Sequence, residues 1–291
     1  MKTRIIGSLA VAAAILGLQI GFSQEANNQP SPAAATAQKG KGKQAPDPRV
    51  QQRTYHFADT NVDLPYALFV SSKVSKDRKN PLIIALHGLN ADQNSLVRGS
   101  AVDLAEEGGY ILVGPLGYNV RGWWGIPAVP RPDGAPAPKA NPAAANDPSN
   151  LRELSEKDFL NVLDMVRKEF NVDERRTYLM GHSMGGAGTL WLGSKYASTW
   201  AGIVVMAPAA GSIQAKATDI LTAFKDKVPV LVTQGDADVN VRPESTRKWV
   251  EMMKELKIDH KYIEMPGKDH ISIMFANMPD IFAFFQQHSK Q

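Results

Sequence analysis

No cysteine occurs anywhere in the 291 residues. That absence excludes disulfides, thiolate zinc sites, a thiol nucleophile and the lipid attachment of a lipoprotein together. Repeated long apolar runs are missing too. Residues 5–22 form the one stretch of that kind, which excludes a polytopic membrane protein. Charge of a single sign is scarce in the main body: residues 1–52 hold six Lys/Arg against Glu25 and Asp47, and the remainder carries 27 basic and 27 acidic residues. The net charge of +4 is therefore an N-terminal property. A phosphate-binding face has no compositional support, and no nucleic-acid partner is expected. With 43% hydrophobic residues there is material for a packed core, so a wholly disordered or collagen-like chain is excluded.

What is present begins with a targeting pattern. Lys2 and Arg4 precede the apolar stretch, and small residues follow at Gly21 and Ser23. A positive start, an apolar middle and a small-residue end predict a secretory signal peptide over residues 1–23, with export to the periplasm or the medium. The stretch is long for a signal peptide, so an uncleaved N-terminal membrane anchor is the competing reading. After cleavage no stable membrane insertion is expected. Residues 24–52 are rich in Gln, Asn, Pro, Ala, Lys and Gly, with almost no large apolar side chains to offset ordering entropy. They read as a flexible linker.

Beyond about residue 53 the character changes. The runs LIIAL at 82–86, ILV at 111–113, TYLM at 177–180, IVVM at 203–206 and VLV at 230–232 are short and continuously apolar. That is the pattern of strands buried on both faces. Residues 260–265 form a further, more amphipathic strand. Helical patterns lie between them. Ser155 and Asp158 have capping-box spacing, which predicts a helix start there with Phe159, Val162, Leu163 and Val166 as its apolar face. Pro243 opens another helix, with Trp249, Met252, Met253 and Leu256 as a core stripe, and 280–287 makes a third. Such alternation predicts one α/β domain over residues 53–291, its mostly parallel central sheet covered by helices on both faces. Residues 121–150 interrupt the rhythm as a Pro/Ala-rich loop insert with Trp123 and Trp124 at its root.

Chemistry concentrates at one strand-to-helix turn. Gly181-His182-Ser183-Met184-Gly185 follows the strand ending at Met180 and precedes a helix through Leu190 and Leu192. This is G-x-S-x-G in the context where a sharp, strained turn projects a serine hydroxyl above a sheet edge. A serine needs a base, and the base an orienting carboxylate. Both are available after later strands, in QGDADVNV at 234–241 and PGKDH at 266–270. Asp238 and His270 complete the order Ser–Asp–His, with Asp236 a rival acid two residues away. His260 and His288 read as surface residues, His182 as locked into the turn, and His56 has no evident partner. LHGLN at 86–90 follows an earlier buried strand, where Gly88 lets the backbone turn the Leu89 N–H towards a reacting carbonyl. His87 reads as shaping that loop through hydrogen bonds.

With these pieces assembled, the chain resembles the α/β-hydrolase superfamily over about residues 53–291. The matching segments are LHGLN at 86–90, GYNVRGWWGIP at 117–127, LSEKD at 154–158, YLMGHSMGGAGT at 178–189, QGDADVNV at 234–241 and KDHIS at 268–272. Within it, the chain is similar to secreted esterases of the polyhydroxybutyrate-depolymerase and feruloyl-esterase type, and to the prolyl oligopeptidase catalytic domain. The resemblance implies Ser183 as nucleophile, Asp238 as triad acid, His270 as base, and the Leu89 and Met184 backbone amides as oxyanion donors. The cysteines common in many secreted members are absent. The expected activity is hydrolysis of a small-molecule or polymeric carboxylic ester, with no metal and no cofactor. Trp123 and Trp124 either wall an acyl or alcohol pocket or anchor their loop in the core. A peptidase with the same triad, a transacylase and a non-catalytic envelope binding protein are the alternatives.

Overall fold

A computed structural model of the chain describes residues 45–128 and 142–290. The expected leader, most of the linker and the middle of the insert lie outside the described residues. Among the described residues eight strands form one sheet in the order β1-β2-β4-β3-β5-β6-β7-β8. They are β1 (Gln51–Phe57), β2 (Val62–Val70), β3 (Asn80–Leu86), β4 (Ile111–Pro115), β5 (Val172–His182), β6 (Gly202–Met206), β7 (Val230–Gly235) and β8 (His260–Met265). The β1–β2 and β2–β4 pairs are antiparallel, and every later neighbour is parallel.

Among the described residues seven α-helices cover this sheet: α1 (Ser100–Gly108), α2 (Leu151–Glu169), α3 (Met184–Lys195), α4 (Ala217–Thr222), α5 (Pro243–Glu255), α6 (Ile273–Ala276) and α7 (Met278–Gln287). The period-two alternation of β3 shows how both faces fill. Leu82, Ile84 and Leu86 share a core with Phe159 and Val162 of α2, Leu190 of α3 and Met253 of α5. Ile83 and Ala85 point the other way, to Val102 and Ala105 of α1 and Ile281 and Phe285 of α7. A strand buried on both sides must be apolar at every position, which is why these runs were continuous. No helix among the described residues is long and apolar enough to cross a membrane.

Three local features differ from the sequence reading. The sheet starts earlier than residue 53: β1 begins at Gln51, and Val50 is buried in the α1/α7 core. Of the β1–β2 hairpin, β1 (QQRTYHF) left no apolar run because it is largely exposed, whereas the mostly buried run LPYALFV at 64–70 of β2 went unread as a strand. Helix α2 begins at Leu151, four residues before the expected cap, so Ser155 and Asp158 are not a capping box. Both are completely buried on the same face as Phe159 and Val162, and their polar atoms serve other segments. At the root of the insert, Arg121 donates to Asp147 at 2.7 and 3.0 Å and Asn119 at 2.9 Å, tying residues before and after the excursion together.

Candidate active site

Ser183 sits between β5 and α3 at φ 57°, ψ −115°, a conformation that L-residues rarely adopt. Crowding by its neighbours holds it there. A Cβ on Gly181 would lie 2.2 Å from the Gly185 carbonyl oxygen, and one on Gly185 would lie 2.0 Å from that of Leu86. Only glycine at both positions lets the strand end and the helix start approach so closely. The serine backbone is pinned as well, its N–H donating to Met206 at 2.9 Å and its carbonyl accepting from Ala187 and Ala209 at 3.0 Å.

His270 reaches this serine from the loop after β8. Its Nε2 is 2.9 Å from Ser183 Oγ and its Nδ1 is 2.7 Å from Asp238 Oδ2. Oδ1 of Asp238 accepts from the Asn240 and Val241 N–H groups, both at 2.9 Å, and Oδ2 also from Gln234 Nε2 at 3.2 Å. Such an acceptor-only carboxylate selects the Nδ1–H tautomer, leaving the Nε2 lone pair for the serine hydroxyl. Asp236, the rival acid, is exposed and accepts from the Gly267 N–H at 2.6 Å instead. His182 is buried against the base: its Nε2–H donates to the His270 carbonyl at 2.7 Å, and the two rings lie 4.6 Å apart. Burial, reinforced by the nearby His270, lowers its pKa to about 4, so this imidazole stays neutral.

The β3 loop closes the site from the other side. A Cβ on Gly88 would be 3.3 Å from the Ser183 Cβ, so the backbone leading to Leu89 passes directly against the serine. Neither the Leu89 nor the Met184 N–H has a backbone acceptor among the described residues, and Met184 opens α3, where a free N–H is expected. His87 is buried, with Nε2 2.7 Å from the Leu116 carbonyl and Nδ1 2.8 Å from that of Gly88. Trp124 lies behind it, wholly enclosed, its indole N–H donating to the His87 carbonyl at 3.3 Å and its ring edge-on to the imidazole at 4.9 Å. With no accessible surface, Trp124 is a core anchor and presents no face to a ligand. Trp123 is half-buried, with the Arg152 guanidinium over its ring at 5.6 Å. The site thus brings together Ser183, Asp238, His270, Leu89 and Met184, with Trp124 enclosed behind His87 rather than open to a ligand.

Sequence reasoning missed an apolar rim. Leu89, Val239 and Ile271 are the large apolar side chains most exposed among the described residues, at 47%, 82% and 61%. Val239 follows Asp238 and Ile271 follows His270, so all three belong to the loops that meet at Ser183. Their adjacency to the polar site residues was the available signal.

Residues 58–271 match a family model described as "Putative esterase". The chain belongs to that family. It is 29% identical over 149 residues to feruloyl esterase B of Neurospora crassa, a match covering 50% of this chain and 44% of that protein. It is 27% identical over 133 residues to a bifunctional acetylxylan esterase/xylanase of Neocallimastix patriciarum, covering 45% of this chain and 16% of the relative. The chain therefore spans less than half the length of either relative. A ferulic acid esterase structure from Anaeromyces mucronatus superposes with a TM-score of 0.62 at 18% identity, over 87% of this chain and 94% of that one. The S-formylglutathione hydrolase of Agrobacterium tumefaciens gives 0.63 at 16% identity, over 82% and 94%. At these identities the structural likeness establishes the fold, which is that of the α/β-hydrolases.

Proposed function

We propose that this esterase-family protein hydrolyses carboxylic esters through an acyl-enzyme on Ser183. The observation that carries this reading is the unbroken hydrogen-bond chain from Asp238 through His270 to a serine on a strained elbow. His270 takes the hydroxyl proton as Oγ attacks the ester carbonyl, and the N–H groups of Leu89 and Met184 receive the developing oxyanion. Collapse of the tetrahedral intermediate expels the alcohol, which takes the proton back from His270. Water then enters, gives its proton to the same imidazole, and releases the carboxylic acid. Asp238 holds the tautomer and balances the imidazolium. No step requires a metal or a cofactor.

The named activities of the two sequence relatives favour acetylxylan or feruloyl esters, and the exposed Leu89, Val239 and Ile271 give an apolar acyl group a surface to rest on. Residues 1–23 act as an export leader, and the Gln/Pro/Ala/Lys-rich segment after it as a tether to the catalytic domain. The test is a panel of p-nitrophenyl acetate, methyl ferulate and a p-nitroanilide, with a serine-directed phosphonate. Ester turnover, phosphonate labelling confined to Ser183 and an inert anilide are expected. Anilide cleavage at rates comparable to the esters would make the protein a peptidase.

A further inference from the structure

We propose that Asp158 is a positioning residue for the oxyanion loop, acting on His87 through the Leu116–Gly117 peptide group. This rests on the reading of Leu89 as an oxyanion donor. The link is built from consecutive contacts. Asp158 Oδ2 accepts from the Gly117 N–H at 2.6 Å and the Tyr118 N–H at 2.9 Å, while Oδ1 accepts from the Tyr55 hydroxyl at 2.5 Å. The Gly117 N–H shares one planar peptide unit with the Leu116 carbonyl. That carbonyl is the group 2.7 Å from His87 Nε2. A carboxylate on one end of a peptide dipole polarises the other end and strengthens it as an acceptor. A stronger acceptor at Leu116 favours the tautomer in which His87 Nε2 carries the proton over the one in which Nδ1 donates to the Gly88 carbonyl 2.8 Å away, and Gly88 itself is pressed against Ser183.

A second grip comes from the same helix face. Ser155, one turn before Asp158, accepts the Trp124 backbone N–H at 3.1 Å, and the Trp124 indole donates to the His87 carbonyl at 3.3 Å. Helix α2 thus holds His87 at its ring through Asp158 and at its backbone through Ser155. An oxyanion donor works only if fixed where charge develops, not merely where the ground-state carbonyl rests. Two buried polar residues on an otherwise apolar helix face therefore have a job besides packing.

The experiment compares Asp158→Asn, which keeps the shape but removes the charge, with Tyr55→Phe, which removes a bond to the other carboxylate oxygen and leaves the peptide contact in place. Three quantities are read at pH 7.5: kcat, KM for p-nitrophenyl acetate, and the inhibition constant of a trifluoromethyl ketone, whose serine adduct carries an oxyanion. Removing a whole oxyanion donor costs about 10²–10³ in kcat, so loosening one should cost about tenfold to a hundredfold. Asp158→Asn should lower kcat and ketone affinity in parallel by that factor with KM within about twofold, whereas Tyr55→Phe should move each by less than about threefold. Unchanged kcat and ketone affinity in Asp158→Asn, or equal losses in Tyr55→Phe, overturn the proposal. Should Asp158→Asn not fold, His87→Ala against His87→Gln reads the link from its other end. Gln can still donate to the Leu116 carbonyl and should lose clearly less than Ala; equal losses overturn the proposal. A parent protein that neither turns over the ester nor labels at Ser183 would instead refute the hydrolase reading, which separates the two failures.

Discussion

Strain at a single residue is the feature on which the proposed chemistry turns. Ser183 is held at φ 57° by glycines that no other residue can replace, so removing its hydroxyl should leave the elbow intact. Ser183→Ala is expected to fold with an unchanged Tm and to lose on the order of 10⁶ in turnover. Activity within tenfold of the parent would end the assignment. The two acids of the β7 loop are separated by the same logic. Asp238→Asn should cost about 10⁴ in kcat, because an amide at that position favours the wrong tautomer of His270. Asp236→Asn, whose carboxylate meets only a loop N–H, should stay close to the parent. A reversal of that order would shift the acid by two residues. For Trp124, complete burial makes stability the sensitive quantity: Trp124→Ala should cost about 3–5 kcal/mol in denaturant unfolding. A loss below about 1 kcal/mol would mean the ring is not a core anchor.

Among the elements, α2 carries a charge-bearing group in an apolar layer, and this has a pH signature. Burial raises the Asp158 carboxyl from its ordinary 3.8 to about 6, against hydrogen bonds from Tyr55, Tyr118 and Gly117 that act in the opposite sense. Between those values the folded protein retains a proton that the unfolded chain has released. Stability therefore falls as pH rises through the window from about 4 to about 6, and the penalty persists above it. Asparagine cannot titrate. The Tm of Asp158→Asn minus that of the parent should accordingly increase from pH 4 to pH 7, measured by calorimetry in matched ionic strength. A flat or falling difference would show that the buried carboxyl does not titrate in this range.

At the scale of the whole molecule, the α/β domain should be independent of what precedes it. Removing residues 1–44 should leave Tm and kcat/KM unchanged. Removing residues 1–52 should not. That cut deletes Val50 from the core, the Arg49 ion pairs to Asp47 and Asp103, and the first two residues of β1. Burial of one valine alone is worth about 1.5–3 kcal/mol, whereas the exposed Arg49 pairs add little. Identical unfolding midpoints for the two truncations would place the domain boundary where the sequence first suggested it.

Much of this protein was written locally. A strand covered on both faces must be apolar at each position, so β3 to β7 declared themselves as short continuous runs. The elbow is readable because its strain is relieved by glycines two residues either side of the serine, all within five consecutive positions. His270 followed from order along the chain and the shortage of other histidines in post-strand loops. What sequence alone left open is contact between distant segments. Asp236 and Asp238 occupy one turn, and only its fold, with Asn240 and Val241 N–H groups holding Oδ1, turns Asp238 towards a histidine 32 residues away. Ser155 and Asp158 have the spacing of a helix cap, yet their partners lie 31 to 103 residues away, at Trp124, Gly117, Tyr118 and Tyr55. The same side chains at the same spacing can satisfy a helix end or a neighbouring loop. Which of the two they do depends on where burial leaves backbone N–H groups in need of an acceptor, and that is known only once the chain has folded.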